Sequence, residues 1–159
     1  MKKSTYKKYY LIQIIIIVVI FIGLYPIVKV RQANMDDIRN SIEKSVSLDR
    51  MDMGNEKILK KLYYVNIKDL EDFIYYAPKS NMDEDEILVL KVKDEKNIPI
   101  IKSQIQKRID KKAESFKNYR PEKYEIIKNA VLEDEGQYLI FIISQDSYNI
   151  KEAIKKDFK

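Results

Sequence analysis

Residues 86–117 read EILVLKVKDEKNIPIIKSQIQKRIDKKAESFK, and their reading decides the fold. Glu86 to Lys93 (EILVLKVK) is rich in β-branched and long aliphatic residues, which suit a pleated, buried strand. Asn97 to Lys117 changes period: Ile98, Ile101, Ile105, Ile109, Ala113 and Phe116 recur at spacings of three and four. That spacing places them on one face of a long amphipathic helix. Pro99 fits the first turn, where a missing N–H is tolerated. A buried strand followed by a one-faced helix requires a sheet with helices packed on it.

Working outward, Phe73 to Ala77 (FIYYA) is a strand that stops at Pro78, and the polar KSNMDEDE joins it to Glu86 as a hairpin. Upstream, Asn34 to Ser47 has Met35, Ile38, Ile42 and Val46 on one stripe behind a capping Asn34, and predicts a helix. Asn55 to Tyr64 predicts a second, short one burying Ile58, Leu59 and Leu62, and Gly54 separates the two. Downstream, Tyr124 to Leu132 starts as a helical turn after Pro121 and ends as strand, Glu133 to Gly136 is a turn, and Gln137 to Ser144 (QYLIFIIS) is a strand. Asp146 to Phe158 closes the chain as a helix with Ile150, Ile154 and Phe158 on one side. The fold class is α+β: a four-stranded antiparallel sheet from two hairpins with packed helices. Ile87 to Leu90 and Tyr138 to Ile143 are apolar at successive positions, so both sheet faces need cover. Either the helices divide between the faces, or one face meets a partner.

Ahead of this domain, Leu11 to Val28 reads LIQIIIIVVIFIGLYPIV, with 14 residues of the Leu, Ile, Val and Phe class and no charge. On an insertion scale these contribute roughly −4 to −8 kcal/mol. Eighteen helical residues span about 27 Å, close to the hydrocarbon thickness. The segment predicts a transmembrane helix with ends at Leu11 and Val28. A cleaved signal peptide would have a shorter apolar run and a small-x-small site, which Leu24 to Arg31 does not offer. Lys2, Lys3, Lys7 and Lys8 precede the run without an acid and act as the topology signal, which puts the N-terminus inside. The expected organisation is a basic cytoplasmic tail at 1–10, the membrane helix at 11–28, a juxtamembrane linker at 29–33 and an extracytoplasmic domain at 34–159.

The net charge of +5 belongs to this topology signal. Residues 1–31 hold six basic residues and no acid, and residues 32–159 hold 24 basic and 25 acidic residues, a net charge of −1. The domain is therefore near neutral and has no electrostatic footprint for a polyanion, nucleic acid included. Histidine and cysteine are both absent, which argues against zinc, haem, disulfides and a lipidated cysteine. No cofactor is expected. The expected partners are the lipid bilayer and either another envelope protein or a second copy of the chain.

The order LKKLYYVNIKDLEDFIYYAP, EILVLKVKD, ESFKNYRPEKYEIIKNAVL and GQYLIFIIS resembles a bacterial family catalogued as domain of unknown function 4358, over about residues 34–145. The resemblance implies a small exported protein with an N-terminal signal or anchor. Some members look lipid-anchored, a mode that the missing cysteine excludes here. No activity comes with the family.

Four sets of residues invite a functional reading. Asn81, Asp83 and Asp85 have the alternating spacing of a calcium loop, but Glu86 stands where that loop needs Gly and Val92 where it needs Glu, so a solvated turn is favoured. Glu86 and Lys91 bracket a strand and suit acid–base work in a cleft, or else edge protection. Tyr119, Arg120 and Tyr124 flank Pro121 as a binding surface, or as rings covering a sheet edge. Tyr75, Tyr76 and Tyr138 join them as the candidate interaction surface if one sheet face is open. A pilin-like subunit lacks support, because the apolar run has no acidic residue near its start. Two function classes remain: a non-enzymatic binding or interaction module outside the membrane, and a carboxylate-dependent hydrolase of envelope polymers. The hydrolase needs two acids facing a cleft about 5 to 9.5 Å apart.

Overall fold

The computed structural model describes residues 3–28 and 32–158, and within the first helix the side chains of 9–20 and 22. The chain divides into two compact units, Met1–Val30 and Arg31–Lys159.

The first unit is one helix, α1 (Lys3–Val28), 26 residues long. Its described side chains are all exposed, Leu11, Ile14 and Ile22 among them. Among the described residues no helix is long and apolar enough to cross a membrane. Lys2 and residues 29–31 of the expected linker lie outside the described residues, as do the side chains of Lys3, Lys7, Lys8 and Val28.

The second unit runs α2 (Met35–Ser45), β1 (Met51–Met53), α3 (Glu56–Tyr63), β2 (Leu70–Pro78), β3 (Glu86–Val92), α4 (Ile98–Lys117), α5 (Pro121–Lys128), β4 (Val131–Glu135), β5 (Tyr138–Ile143) and α6 (Ser147–Lys155). The strands form one sheet in the order β1-β2-β3-β5-β4, with every neighbouring pair antiparallel. Asn34 caps α2 by accepting from Asp36 N, and Asn55 caps α3 by accepting from Ile58 N.

Two expectations about the sheet are corrected. It has five strands instead of four, because Met51–Met53 pairs with Tyr76–Pro78 on the outside of β2. Three residues carry no readable period, and only the long-range pairing makes them a strand. Gly54 lets that edge come close: its N–H donates to the Tyr75 carbonyl at 2.7 Å, and a Cβ there would overlap the Tyr75 ring. Glu133 to Glu135 belong to β4 and not to the turn, which tightens to Gly136 (φ 54°) and Gln137. Their acidic side chains are tolerated because β4 is an edge strand beside lysines: Glu133 pairs with Lys151 and Lys155, and Asp134 with Lys102.

The helices divide between the two sheet faces. Tyr75, Leu88, Leu90, Leu139, Phe141 and Ile143 pack under α3, α4 and α5, where Leu59, Tyr63, Ile105, Ile109 and Phe116 are buried. Ile74, Tyr76, Ile87, Val89, Tyr138 and Ile142 pack under α2 and α6, where Ile38, Ile42, Ile150 and Ile154 are buried. This double cover is the physical reason that β3 and β5 are apolar at successive positions.

Candidate functional site

The first strand residue of β3, Glu86, is fully buried and lies on the α3–α4 face. Its two carboxylate oxygens are shared among four donors. Tyr63 (α3) and Tyr75 (β2) donate their hydroxyls to Oε1 at 2.5 and 2.8 Å. Lys112 Nζ and Arg108 Nη2, one helical turn apart on α4, approach Oε2 at 2.8 and 3.2 Å. Lys112 also donates to the Glu84 carbonyl at 2.8 Å. The rings of Tyr63 and Tyr75 meet edge to face at 5.6 Å, which fixes both hydroxyls.

Electrostatics follow from this packing. Burial alone would raise the Glu86 carboxyl, but Lys112 and Arg108 outweigh it and hold the group below its ordinary range. Arginine keeps its charge in proteins, so Glu86 always faces at least one fixed cation. Burial pushes the Lys112 amine down despite Glu86 beside it. Burial, followed by the adjacent carboxylate, pushes the Tyr63 and Tyr75 hydroxyls well up. A carboxylate offers about four lone-pair sites, and Glu86 has four donors on them. Its chemistry is therefore to orient Arg108 and Lys112 rather than to accept a further proton.

Arg108 carries the cluster to the surface. A groove of about 330 Å³ opens between α3 and α4, lined by Lys61, Leu62, Tyr64, Gln104, Lys107, Arg108 and Lys111. Four of those seven residues are cationic and none is acidic. Tyr64 ends α3 in the left-handed region at φ 57° with its ring exposed, and Gln104 donates to its carbonyl at 3.3 Å. A non-glycine residue there stores strain on the order of 1–2 kcal/mol. Arg108 Nε is buried with no hydrogen-bond partner among the described residues. An unmet buried donor costs about 1–3 kcal/mol.

The acidic run before Glu86 is neither a solvated turn nor a calcium loop. Glu84 and Asp85 are buried. Arg50 reaches Asp85 at 2.5 Å and Glu84 at 3.3 Å, and Lys123 reaches Glu84 at 2.5 Å. Among the described residues no group of three or more acids is arranged to hold a metal ion.

The residues expected at an interaction surface are divided between core and surface. Tyr75, Tyr76, Glu86 and Tyr138 are all buried, because helices cover both sheet faces. Tyr76 and Tyr138 face α2 and α6, where the Tyr76 hydroxyl donates to Glu43 at 2.8 Å and the Tyr138 hydroxyl donates to the Ala33 carbonyl at 2.7 Å. Lys91 is partly buried, pairs with Glu71 at 2.6 Å and lies 5.8 Å from the Tyr138 ring, so it is not paired with Glu86. Tyr119 is exposed, with the Arg120 guanidinium 5.9 Å from its ring, and neither lines the groove. The groove residues Lys61, Tyr64, Lys107, Arg108 and Lys111 escaped the sequence reading. The available signal was Arg108 and Lys112 at four-residue spacing, flanking the Ile105 and Ile109 face of α4.

No curated protein and no solved structure matches this chain. One family does match, over residues 44–144, a stretch that holds α3, β2, β3, α4 and β5 together with Glu86 and the whole groove. The chain belongs to the family described as Domain of unknown function (DUF4358).

Proposed function

We propose that this chain is a single-pass membrane protein whose C-terminal domain acts outside the cytoplasm as a binding module, capturing an anionic partner in the groove between α3 and α4. The observation that carries the reading is the groove lining itself: Lys61, Lys107, Arg108 and Lys111 with no acid among them, in a domain that as a whole is near neutral. Cations on both walls of a concave surface focus the field and raise the local concentration of an anion. The uncharged Leu11 to Val28, the lysines before it and the exposed apolar side chains of α1 support the anchor. A tether raises effective concentration at the membrane, so a weak site suffices there. For the carboxylate hydrolase, the acid touching a groove side chain is Glu86, already engaged by four donors, and the binding reading is favoured.

Two measurements test this. Because the chain has no cysteine, Lys79→Cys should react with a membrane-impermeant maleimide in intact cells and Ser4→Cys should not. The reverse labelling would overturn the orientation, and release of a mature fragment starting after Val30 would overturn the anchor. The full chain in nanodiscs of neutral lipid should retain polyanions at low salt. Lys61→Gln, Lys107→Gln and Lys111→Gln together should abolish that retention, and an unchanged affinity would remove the groove from the reading.

A further inference from the structure

We infer that the groove is a phosphoryl-group site: Arg108 binds the group, Lys61, Lys107 and Lys111 neutralise it, and Leu62 and Tyr64 carry the rest of the ligand. This rests on the anionic-partner reading above and narrows it to one chemistry.

Three observations point the same way. First, Arg108 is pre-oriented. Its Nη2 is pinned by Glu86, Glu86 is in turn fixed by Tyr63, Tyr75 and Lys112, and 18% of the Arg108 side chain stays open to the groove it lines. A planar guanidinium held in one orientation matches phosphoryl oxygens with two parallel donors.

Second, the charge count exceeds what a single carboxylate uses. Four cations line the groove, and the acid in contact with them is Glu86. A phosphomonoester carries about −1.5 to −2 at neutral pH and three acceptor oxygens. Lys107 and Lys111 stand four residues apart on α4, about 6 Å along the helix, and Lys61 comes from the facing wall on α3. Lysine acts as a mobile point charge around a group that arginine holds in register.

Third, the groove is not uniformly polar. Leu62 and the exposed Tyr64 ring form its apolar side, and the Tyr64 backbone is held at φ 57°, where glycine is the usual residue. That conformation caps α3, the Tyr64 N–H donating to the Lys60 carbonyl at 3.0 Å, and it leaves the ring exposed on the groove wall, where an aromatic side chain suits contact with a ligand. A volume of about 330 Å³ is at the small end of ligand pockets, room for a phosphoryl group with a small polyol or sugar attached.

The experiment uses the full chain in nanodiscs of neutral lipid, with calorimetry at fixed low salt. The probes are glycerol 3-phosphate, inorganic phosphate, and glutarate as a dicarboxylate control. Glycerol 3-phosphate should bind at least ten-fold tighter than glutarate, and Arg108→Lys should remove that preference. Lys61→Gln and Lys111→Gln, whose side chains are outside the buried cluster, should each weaken phosphate binding three-fold or more without changing the circular dichroism spectrum. They decide the matter if Arg108→Lys does not fold. Poly(glycerol phosphate) in solution and vesicles containing phosphatidylglycerol then separate a soluble phosphodiester from a lipid headgroup as the source. Equal affinity for glutarate and glycerol 3-phosphate would overturn the phosphoryl assignment and leave anion binding standing. No binding of any anion would overturn both.

Discussion

Lys112 Nζ lies 2.8 Å from Glu86 Oε2, with both side chains closed to solvent. A buried carboxylate can be accommodated only while its cations stay beside it, and the same is true in reverse. The pair, joined by Arg108 and two tyrosine hydroxyls, ties β2, β3, α3 and α4 together at one point.

Glu86→Gln keeps the shape and removes the charge, leaving Lys112 and Arg108 without a counter-ion. It should cost about 3–5 kcal/mol in denaturant unfolding followed by circular dichroism. Combining it with Lys112→Met should cost clearly less than the two single changes added, because the uncompensated charges disappear together. Additive costs would mean that the two groups are not coupled.

Stability should fall at both ends of the pH scale for separate reasons. The folded Glu86 value is depressed, so its contribution is present above the unfolded carboxylate value, about 4.3, and is lost as the pH falls through the lower folded value. Tyr76 runs the other way: burial and then Glu43 push its hydroxyl up to about 12, so its contribution is complete below about 10 and disappears as the pH rises toward 12. Thermal melts across pH should show Glu86→Gln flattening the acid limb and Tyr76→Phe making the alkaline one shallower, the rest of that limb coming from the raised hydroxyls of Tyr63 and Tyr75. Unchanged limbs in either variant would disprove the assignment of that limb.

Tyr64→Gly should stabilise the domain by about 1 kcal/mol, since glycine takes a φ of 57° without the steric cost that tyrosine bears. The same change should weaken ligand capture. A destabilised Tyr64→Gly protein would show that the exposed ring packs more firmly than its accessibility implies.

Gly54→Ala should do the opposite, at a cost of about 1–3 kcal/mol, because the new methyl overlaps the Tyr75 ring that donates to Glu86. The denaturation midpoint measures that cost, and an unshifted midpoint would mean that β1 moves away freely.

Much of the fold was legible because it is written in period. Ile98, Ile101, Ile105 and Ile109 repeat at helical spacing and are buried as expected, and the unbroken apolar runs of β3 and β5 announced a sheet covered twice. Met51 to Met53 was not legible, since three residues have no period and their strand exists only through Tyr76 to Pro78. Tyr75, Tyr76 and Tyr138 were expected at a contact only if one sheet face stayed open; helices cover both faces, and the three hydroxyls bond inside the domain, to Glu86, Glu43 and the Ala33 carbonyl. The acidic run at Asp83 to Glu86 looked solvated because its cations, Arg50, Arg108, Lys112 and Lys123, are scattered along the chain and meet only after folding.

The pairing of α2 with α6 has a consequence for synthesis. Met35, Ile38 and Ile42 lie on a helix that packs on β2 and α6, and the Tyr138 hydroxyl grips Ala33 across 105 residues of chain. At about 5–20 residues per second, the start of the domain waits roughly 5–20 s for the residues that complete its layer. During that interval the hydrophobic stripe of α2 stays uncovered, whereas the four side chains that bond Glu86 all lie between Tyr63 and Lys112 and are made earlier; Leu139, Phe141 and Ile143 of β5 then complete that layer. Loss of the last helix would leave the chain not shortened but unfinished.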